Sequence, residues 1–279
     1  PYVRGRERSV PLDEIIHDVK QYVEKGYKEI ILLGQNVNSY GKDFKNGDNF
    51  AKLLEEICKV EGDFLVRFIS PHPRDFSDEV IDVIAKNDKI AKSLHLPLQS
   101  GSTRILKMMN RGYTKEQYIA LAEKIKEKIP GVALTADIIV GFPGETEENF
   151  EELKAFIEEY KFDYVGVFKY SREEDTKAYD MENQVPEEVK EKRWIEITNL
   201  QTKIAENKNR NMLGKIVEVM IDGVSTESEY LLEGRTKGQA LEIDGKVLTN
   251  DGTAKPGEIV KVKLEQNFDY DFIGPIVEN

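Results

Sequence analysis

Residues 133–146 read Ala-Leu-Thr-Ala-Asp-Ile-Ile-Val-Gly-Phe-Pro-Gly-Glu-Thr, and this stretch decides the fold class. The run up to Val140 is mostly apolar, which predicts a buried strand, and Gly141-Phe142-Pro143-Gly144 predicts a tight turn. Thr146 then has the side chain of a helix N-cap and precedes a helical pattern over residues 147–160. A buried strand that passes through a glycine turn into a helix is typical of an alternating α/β protein.

The same alternation of strand and helix extends over the first 170 residues. Strands are predicted at residues 29–33, 64–69, 93–96, 133–140 and 163–168. Helices are predicted at 11–25, at 49–60, from 77, from 103, from 114 and at 147–160. Because the strands are apolar on both faces, as buried parallel strands are, we expect right-handed crossovers and a partial (β/α) barrel that lacks its first strand.

The pattern changes after residue 170. Residues 187–211 predict one long, highly charged helix, and the sequence from residue 212 onward predicts short strands separated by glycine turns. An Asp222-Gly223 pair predicts a turn after the first of these strands, and Gly234 predicts the end of the second. We therefore divide the chain into an α/β domain with a linker helix, residues 1–211, and a small all-β barrel of the OB type, residues 212–279.

Composition limits the class of protein. The sequence has 39% hydrophobic residues and no run of eighteen apolar residues, so no membrane partner is expected. A single cysteine, Cys58, leaves no disulfide framework and fits a reducing cytoplasm. The net charge of −12 does not favour nucleic-acid binding in general. An RNA contact would have to be local, and the cluster Arg4, Arg6 and Arg8 is the candidate.

Three loops that follow predicted strands carry polar side chains or glycines. They are Gly34-Gln35-Asn36-Val37-Asn38, Gln99-Ser100-Gly101-Ser102 and Gly141-Phe142-Pro143-Gly144-Glu145-Thr146. Because ligands of α/β proteins bind beyond the carboxyl ends of parallel strands, the three loops together predict a binding site. Glu145, Glu147 and Glu148 would repel phosphate, which favours a neutral or cationic group such as an adenine face or a sulfonium. Each loop taken alone is equally compatible with an ordinary turn or a capped helix.

Side chains that catalyse reactions by themselves are missing from these loops. The sequence has no Ser-His-Asp order, no nucleophile elbow and no cysteine–histidine cluster with zinc or iron–sulfur spacing. His72, between two prolines at a strand end, is a further candidate for the cavity, whereas Cys58 fits the apolar stripe of its helix. Binding loops without a catalytic side chain indicate a site whose reactive part is a cofactor, and they disfavour a conventional hydrolase barrel.

The sequence resembles the radical S-adenosylmethionine (SAM) methylthiotransferases, and within them the MiaB-type branch that acts on isopentenyladenosine in tRNA. The resemblance rests on four segments in the family's order and spacing, residues 1–9, 33–40, 95–102 and 139–146. Gly234-Arg235-Thr236 also matches the C-terminal TRAM domain of that family. The resemblance implies a radical-SAM barrel followed by a TRAM barrel, in a cytoplasmic enzyme that we expect to be monomeric.

The resemblance also implies a reaction, the attachment of a methylthio group to carbon 2 of the modified adenine next to the anticodon. In the family, SAM provides a 5′-deoxyadenosyl radical and the methyl group. One 4Fe–4S cluster sits on a CxxxCxxC loop and a second, auxiliary 4Fe–4S cluster sits in an N-terminal domain. The segment that matches Pro1 follows the CxxxCxxC loop in the family. We therefore expect this chain to lack both clusters and to be inactive alone.

The family's binding residues are transferred to the matching positions of this sequence. The motif beside the SAM amino group corresponds to Gly34, Gln35 and Asn36. The ribose and carboxylate side corresponds to Gln99, Ser100 and Gly101, and Arg111 is the expected partner of the carboxylate. The adenine loop corresponds to Val140, Gly141 and Phe142. The expected RNA contacts are Arg4, Arg6, Arg8 and Arg235. The expected partners are tRNA and the N-terminal domain, and no catalytic side chain or metal ligand is assigned.

Two segments depart from the family pattern. Residues 170–176 lack its proline and carry Asp175 in place of its glycine, and residues 237–241 lack the basic stretch that usually follows the TRAM motif. Residues 212–279 also carry more acidic than basic side chains. We therefore expect a turn after residue 170 that differs from that of the family, and a TRAM domain that binds RNA more weakly than is usual in the family.

Two alternatives stand beside a tRNA methylthiotransferase. One is the sister enzyme that methylthiolates an aspartate of a ribosomal protein, which typically reads Gln-Asp-Thr-Thr and Gln-His-Gly at two of the loops. This chain reads Gln35-Asn36-Val37-Asn38 and Gln99-Ser100-Gly101 there, which favours the tRNA type. The other alternative is a non-catalytic RNA-binding protein that uses its TRAM domain.

Overall fold

A computed structural model describes residue 5, residues 7–240 and residues 244–277. The helices in these ranges are α1 Leu12–Glu24, α2 Phe50–Lys59, α3 Asp78–Lys86, α4 Thr103–Met108, α5 Lys115–Lys128, α6 Glu147–Tyr160 and α7 Glu187–Arg210. The strands are β1 Glu29–Leu32, β2 Leu65–Phe68, β3 Ser93–His95, β4 Ala133–Val140, β5 Tyr164–Lys169, β6 Ile216–Val224, β7 Leu232–Arg235, β8 Val247–Thr249, β9 Ile259–Lys263, β10 Gln266–Phe268 and β11 Asp271–Gly274. The chain forms two compact units, a first of residues 1–95 and 121–132 and a second of residues 96–120 and 133–279.

In the first unit, β1 and β2 pair in parallel, from Glu29 opposite Leu65 to Leu32 opposite Phe68. Helices α2 and α3 pack against each other through side chains that are almost completely buried. Their amphipathic faces carry Leu54, Ile57, Ile81 and Ile84 at the spacing of one helical stripe. This packing of helices beside a parallel strand pair confirms the predicted α/β character.

In the second unit, β4 and β5 pair in parallel over their common length. Residues 96–99 run beside β4, because the amide of Leu96 donates to the carbonyl of Thr135 and the amide of Gln99 to that of Asp137 (2.8 and 2.7 Å). The end of this segment and the carboxyl ends of β4 and β5 therefore lie at one edge. That edge is where α/β proteins bind ligands.

The C-terminal part of the second unit is a six-stranded sheet in the order β10-β11-β8-β7-β6-β9. Its core consists of buried residues from four strands and the loops beside them, Val219, Ile221, Val247, Val262, Leu264 and Phe272. This sheet confirms the predicted change from α/β to all-β structure after the long helix.

The predicted turn at Asp222-Gly223 is wrong. Strand β6 continues through both residues to Val224, and its register with β7 shifts between Ile221 and Gly223, as in a β-bulge. The predicted strand end at Gly234 is also wrong, because β7 runs through it. A Cβ at Gly234 would lie 2.4 Å from the carbonyl oxygen of Met220. This glycine therefore allows close strand packing rather than a turn.

The α/β elements lie close to their predicted positions. Strand β4 and helix α6 begin and end at the predicted residues, and β5 differs by one residue at each end. Thr146 caps α6 as expected, in a capping box with Asn149. Within the described ranges, no helix has both the length and the hydrophobicity needed to cross a bilayer.

Tyr118 of α5 is a polar side chain within the apolar core of the second unit. Its ring is 1% exposed and lies among the rings of Tyr113, Phe156 and Phe162. Its hydroxyl donates a hydrogen bond of 2.7 Å to the carbonyl oxygen of Leu96. Burial raises the pKa of this phenol well above its ordinary value. The bond therefore ties the helix to the strand extension that leads to Gln99.

Tyr118→Phe should lower the free energy of unfolding by about 1–2 kcal/mol, because a buried carbonyl loses its donor while the ring packing is kept. Urea denaturation followed by circular dichroism measures the change. Tyr230→Phe is the matched control, since Tyr230 is 85% exposed and its substitution should leave stability unchanged. Equal stability of the two variants would contradict a contribution from the Tyr118 hydroxyl.

Candidate functional site

The loop after β1 in the first unit is held by its own amide side chains. Asn38 is buried, donates from Nδ2 to the carbonyl of His72 (3.0 Å) and accepts the amide of His72 at Oδ1 (2.8 Å). Asn38 thus mimics a strand neighbour and fixes the two strand-end loops to each other. The backbone of His72 has a structural role here, and the predicted role of its ring at a site stays a prediction.

Asn36 in the same loop combines a satisfied donor with a free acceptor. Its Nδ2 donates to Oδ2 of Asp75 (2.7 Å), whereas its Oδ1 is buried and has no hydrogen-bond partner in the structure. Asp75 also accepts from Lys42 (2.5 Å) and from Arg74 (3.1 Å). Burial alone would raise the pKa of Asp75, but the hydrogen bonds from Arg74, Lys42 and Asn36 outweigh it and hold that pKa well below its ordinary value. A buried acceptor without a partner is suited to a donor from a ligand.

A cavity of about 560 Å³ lies against this loop within the first unit. Its lining includes Arg8, Leu33, Gly34, Gln35, Asn36 and Tyr40. The structure therefore brings the three predicted residues of this loop to one cavity, together with the exposed Arg8. Arg4 and Arg6, predicted with Arg8 as RNA contacts, lie outside the described residues.

The loop after residue 98 in the second unit is more buried than predicted for a binding loop. Gln99 has a positive φ of 68°, which is rare outside glycine and is found where surrounding structure imposes it. Ser100 is 1% exposed, and a Cβ on Gly101 would lie 2.5 Å from the Cα of Leu153 in α6. Gly101 is therefore required for close packing of α6. The predicted ligand contacts of Ser100 and Gly101 stay predictions.

A second cavity, of about 500 Å³, lies at the carboxyl ends of β4 and β5 within the second unit. Its lining includes Gln99, Met108, Met109, Arg111, Asp137, Phe142, Tyr170 and Met181. Of the residues predicted here, Gln99, Arg111 and Phe142 come together in this cavity. It offers a cation, an amide, a carboxylate and aromatic rings, which are the groups needed for a polar ligand with an aromatic ring.

Sequence reasoning missed Asp137, Tyr170 and the methionines of this cavity. Residues 137 and 139 alternate with buried neighbours along β4, so the alternation of side chains on a strand could have identified Asp137. Tyr170 follows β5 and meets Phe142 edge to face, with ring centroids 5.4 Å apart. Its hydroxyl is buried without a hydrogen-bond partner, and burial raises its pKa. The hydroxyl of Tyr170 is thus a second polar group, beside Oδ1 of Asn36, that is available to a ligand.

The glycine loop after β4 is shaped by its neighbours. Gly141 has a φ of 76°, and a Cβ there would lie 2.3 Å from Cγ of Lys190 in α7. Its amide donates to Oε1 of Glu145 (2.9 Å). Val140 is completely buried, so only its backbone is placed to contact a ligand. Phe142 is the side chain of this loop that lines the cavity.

Arg235, predicted as an RNA contact, lies in β7 and is 6% exposed. Its guanidinium donates to both carboxylate oxygens of Asp222, at 2.7 and 2.8 Å. The arginine therefore stabilises the bulged strand β6 through a bidentate pair. Its contact with RNA stays a prediction.

The described residues offer no arrangement for a metal ion. Among them, no group of three or more His, Cys, Asp or Glu side chains is placed to hold one. Cys58 lies at intermediate exposure on α2, and burial raises the pKa of its thiol. A 4Fe–4S cluster therefore does not fit these residues as a resident group.

Two sequence families match this chain. The profile described as the Radical SAM superfamily matches residues 1–157, and the profile described as the TRAM domain matches residues 213–277. The tRNA-2-methylthio-N(6)-dimethylallyladenosine synthase of Fusobacterium nucleatum is 57% identical over 277 residues, which are 99% of this chain and 62% of that protein. The protein of the same name from Caldicellulosiruptor saccharolyticus is 49% identical over 98% of this chain and 54% of its own length. The chain thus spans about three fifths of the length of these curated relatives.

A solved structure also resembles this chain. Coproporphyrinogen III oxidase from Escherichia coli, a radical SAM enzyme, superposes with a TM-score of 0.52 at 13% sequence identity. The superposition covers 81% of this chain and 60% of that one. At this identity the similarity concerns the fold alone.

Asp75→Asn should lower the free energy of unfolding by about 1–3 kcal/mol at pH 7, because three donors lose a buried carboxylate. The pKa of Asp75 is lower in the folded than in the unfolded protein, so its contribution is complete above about pH 4 and is lost as the pH falls towards the folded pKa. Urea denaturation at pH 7 and pH 3 should give a smaller difference from the unsubstituted protein at pH 3.

Asp63→Asn is the control for this prediction. The side chain of Asp63 is 81% exposed and pairs with Lys28 at 3.4 Å, so its substitution should change stability little at either pH. If Asp75→Asn lowered the free energy of unfolding equally at pH 7 and pH 3, the result would contradict a charged Asp75 carboxylate in the folded protein.

Proposed function

The chain belongs to the radical SAM superfamily, and on this premise we propose that it forms the SAM-binding barrel and the TRAM domain of a tRNA methylthiotransferase. The substrate we propose is the dimethylallyl-modified (isopentenyl) adenosine next to the anticodon, to which a methylthio group is added. The proposal follows the names of curated relatives that are 46–57% identical to this chain. Because the chain spans only part of those relatives, the activity is proposed for the longer protein.

The second-unit cavity is the observation that carries the proposal. Its apolar and polar groups suit the adenosyl part of SAM, with Phe142 and Tyr170 beside the adenine, Gln99 beside the ribose and Arg111 as partner for the carboxylate. The unpartnered hydroxyl of Tyr170 is available to an adenine nitrogen. Ser100, Gly101, Val140 and Gly141 would contribute through their backbone.

For the first-unit loop we propose a contact with an ammonium group. Asn36 offers a buried oxygen without a partner, which suits the ammonium group of SAM, and Gly34 and Gln35 line the same cavity. Bound SAM supplies a radical source and a methyl donor. The residues of this chain bind it, orient it and exclude water from it.

The two 4Fe–4S clusters of the reaction would be held by parts of the longer protein outside this chain. One would precede the barrel and the auxiliary one would lie in an N-terminal domain. We further propose a boundary between barrel and TRAM domain at residues 211–212, a monomeric enzyme and a cytoplasmic location. The RNA contacts would be Arg4, Arg6, Arg8 and Arg235.

The alternatives are not favoured. The curated relatives cited above are all named as tRNA-modifying enzymes, which argues against an aspartate of a ribosomal protein as substrate. The match of the radical SAM profile to more than half of the chain argues against a non-catalytic RNA-binding protein.

The test uses the full-length protein, purified anaerobically and reconstituted with iron and sulfide. It is incubated with SAM and with tRNA that carries isopentenyladenosine, and the nucleosides are analysed by mass spectrometry. SAM-dependent 2-methylthio-isopentenyladenosine is the expected product. Cleavage of SAM to 5′-deoxyadenosine with unmodified tRNA would overturn the proposed substrate, and no cleavage of SAM would overturn the proposed chemistry.

Tyr170→Phe separates a ligand contact from a structural role. The substitution should leave the free energy of unfolding unchanged or raise it by about 1 kcal/mol. The reason is that the buried hydroxyl loses its hydrogen bonds to water on folding and gains none within the protein. The affinity for SAM should nevertheless fall about three- to tenfold if the hydroxyl bonds the adenine. Isothermal titration calorimetry and urea denaturation on the same variant measure the two quantities.

The exposed Tyr27 provides the control, since Tyr27→Phe should change neither quantity. A loss of stability in Tyr170→Phe, or an unchanged affinity for SAM, would contradict the role of the hydroxyl.

A further inference from the structure

The glycine loop of the second unit is anchored by a buried carboxylate. The side chain of Glu145 is 1% exposed, and its Oε1 accepts both the amide of Gly141 (2.9 Å) and Nη1 of Arg193 (2.7 Å). Burial raises the pKa of Glu145, and the two donors oppose that rise. The first residue after β4 is therefore connected to α7 through one carboxylate oxygen.

Arg193 makes further contacts beside its pair with the carboxylate of Glu145. Its side chain is 6% exposed, its Nη1 also donates to the backbone carbonyl of Glu145 (3.3 Å), and its Nη2 pairs with Glu147 (3.0 Å). The guanidinium lies 5.2 Å from the centroid of the Phe150 ring in α6. One side chain of α7 thus contacts the end of the loop and the first turn of α6.

Lys190, one turn earlier on α7, also contacts this loop. Its stem lies against Gly141, where a Cβ would come within 2.3 Å of it. Its ammonium donates to the carbonyl of Tyr170 (3.0 Å), at the end of β5. Helix α7 therefore covers the ends of both strands that form the second-unit cavity.

We propose that Arg193, acting through Glu145, is a positioning residue for the glycine loop and sets the affinity of the site for the adenosyl part of its cofactor. This inference rests on the proposed function, because it takes the loop of Gly141 and Phe142 to contact the adenine of SAM. It assigns a role in cofactor binding to a residue of α7, which lies outside the loops at the strand ends.

The physical reason is the cost of an unpaired buried charge. Without Arg193, the carboxylate of Glu145 would be left in an apolar environment, and it would have to take up a proton or move towards water. Either change weakens the bond between the carboxylate and the amide of Gly141. A shift of about 1 Å in the loop is enough to lower binding or rate by up to about a hundredfold.

The chain offers a matched control on the same guanidinium. Glu147 pairs with Arg193 but its side chain is 68% exposed, and it makes no bond to Gly141 that the structure records. Glu147→Gln removes one carboxylate charge at the surface, and Glu145→Gln removes one carboxylate charge in the interior. The two variants therefore differ in burial and in contact with the loop, not in the charge removed.

The experiment uses the full-length protein with the variants Arg193→Gln, Glu145→Gln and Glu147→Gln. Hydrogen–deuterium exchange of peptides covering residues 139–146 reports the loop in the absence of any ligand. Calorimetric titration with S-adenosylhomocysteine reports the adenosyl site, and titration with methionine reports the amino-acid end of the cofactor. Circular dichroism melting identifies a variant that fails to fold, and Arg193→Lys then replaces Arg193→Gln.

We expect Arg193→Gln and Glu145→Gln to exchange faster in residues 139–146 and to bind S-adenosylhomocysteine about tenfold more weakly. Methionine binding should be unchanged in both, because the loop does not contact that end. Glu147→Gln should match the unsubstituted protein in all three measurements. A variant that combines Arg193→Gln with Glu145→Gln should lose little more affinity than either single variant, as expected for residues that act as one unit.

Unchanged affinity for S-adenosylhomocysteine in Arg193→Gln would overturn the proposal, even if the loop exchanged faster. Equal losses for S-adenosylhomocysteine and methionine would overturn it too, because they would indicate general unfolding of the site. If the unsubstituted protein bound no S-adenosylhomocysteine, the proposed function would fail and this inference with it. The first two outcomes leave the proposed function intact, so the two failures are distinguishable.

Discussion

The bond between the buried carboxylate of Glu145 and its two donors is the constraint on which the second unit depends. One donor is the amide of Gly141 at the end of β4, and the other is the guanidinium of Arg193 on α7. Because a buried carboxylate is stable only when its charge is paired, the strand end and the helix cannot move independently. From the sequence, the acidic residues after Gly141 were expected to repel phosphate at the start of α6. In the structure, Glu145 instead binds the amide of Gly141, and the exposed Glu147 and Glu148 lie in the first turn of α6, where they interact with its dipole.

Several polar residues of the strand-end loops make hydrogen bonds within the protein that hold the loops in place. Asn38 replaces a strand neighbour for His72, and Gln99 continues the hydrogen-bond pattern of β4 through its backbone. Two buried polar atoms of these loops have no hydrogen-bond partner in the structure. They are Oδ1 of Asn36 and the hydroxyl of Tyr170. Such atoms are costly unless something donates to or accepts from them, which makes them stronger indicators of a site than the loops' composition.

Helix α7 illustrates where sequence patterns fail. Its sequence predicts one long, highly charged helix, yet the charged or polar side chains of Lys190, Arg193 and Gln201 are buried. Long side chains can bury their stems while their polar ends find carbonyls or carboxylates, and hydrophobic periodicity gives no sign of this. The C-terminal sheet shows a related failure, because Asp222-Gly223 is a turn by composition and a bulge in the structure. The Asp222 partner that stabilises the bulge, Arg235, comes from the neighbouring strand.

The sequence by itself determined the α/β elements, the change to an all-β sheet and the three loops at strand ends. These follow from local rules, namely the periodicity of apolar residues, helix caps and glycine turns, which act within about ten residues. It also singled out Gln99, Arg111 and Phe142, which the structure brings to one cavity. Only the tertiary structure decided that Asp137 and Tyr170 join them, and that Ser100 and Gly101 pack against α6. It alone decided that Arg193 reaches Glu145, because that pairing joins residues 48 positions apart whose burial depends on how α6 and α7 pack.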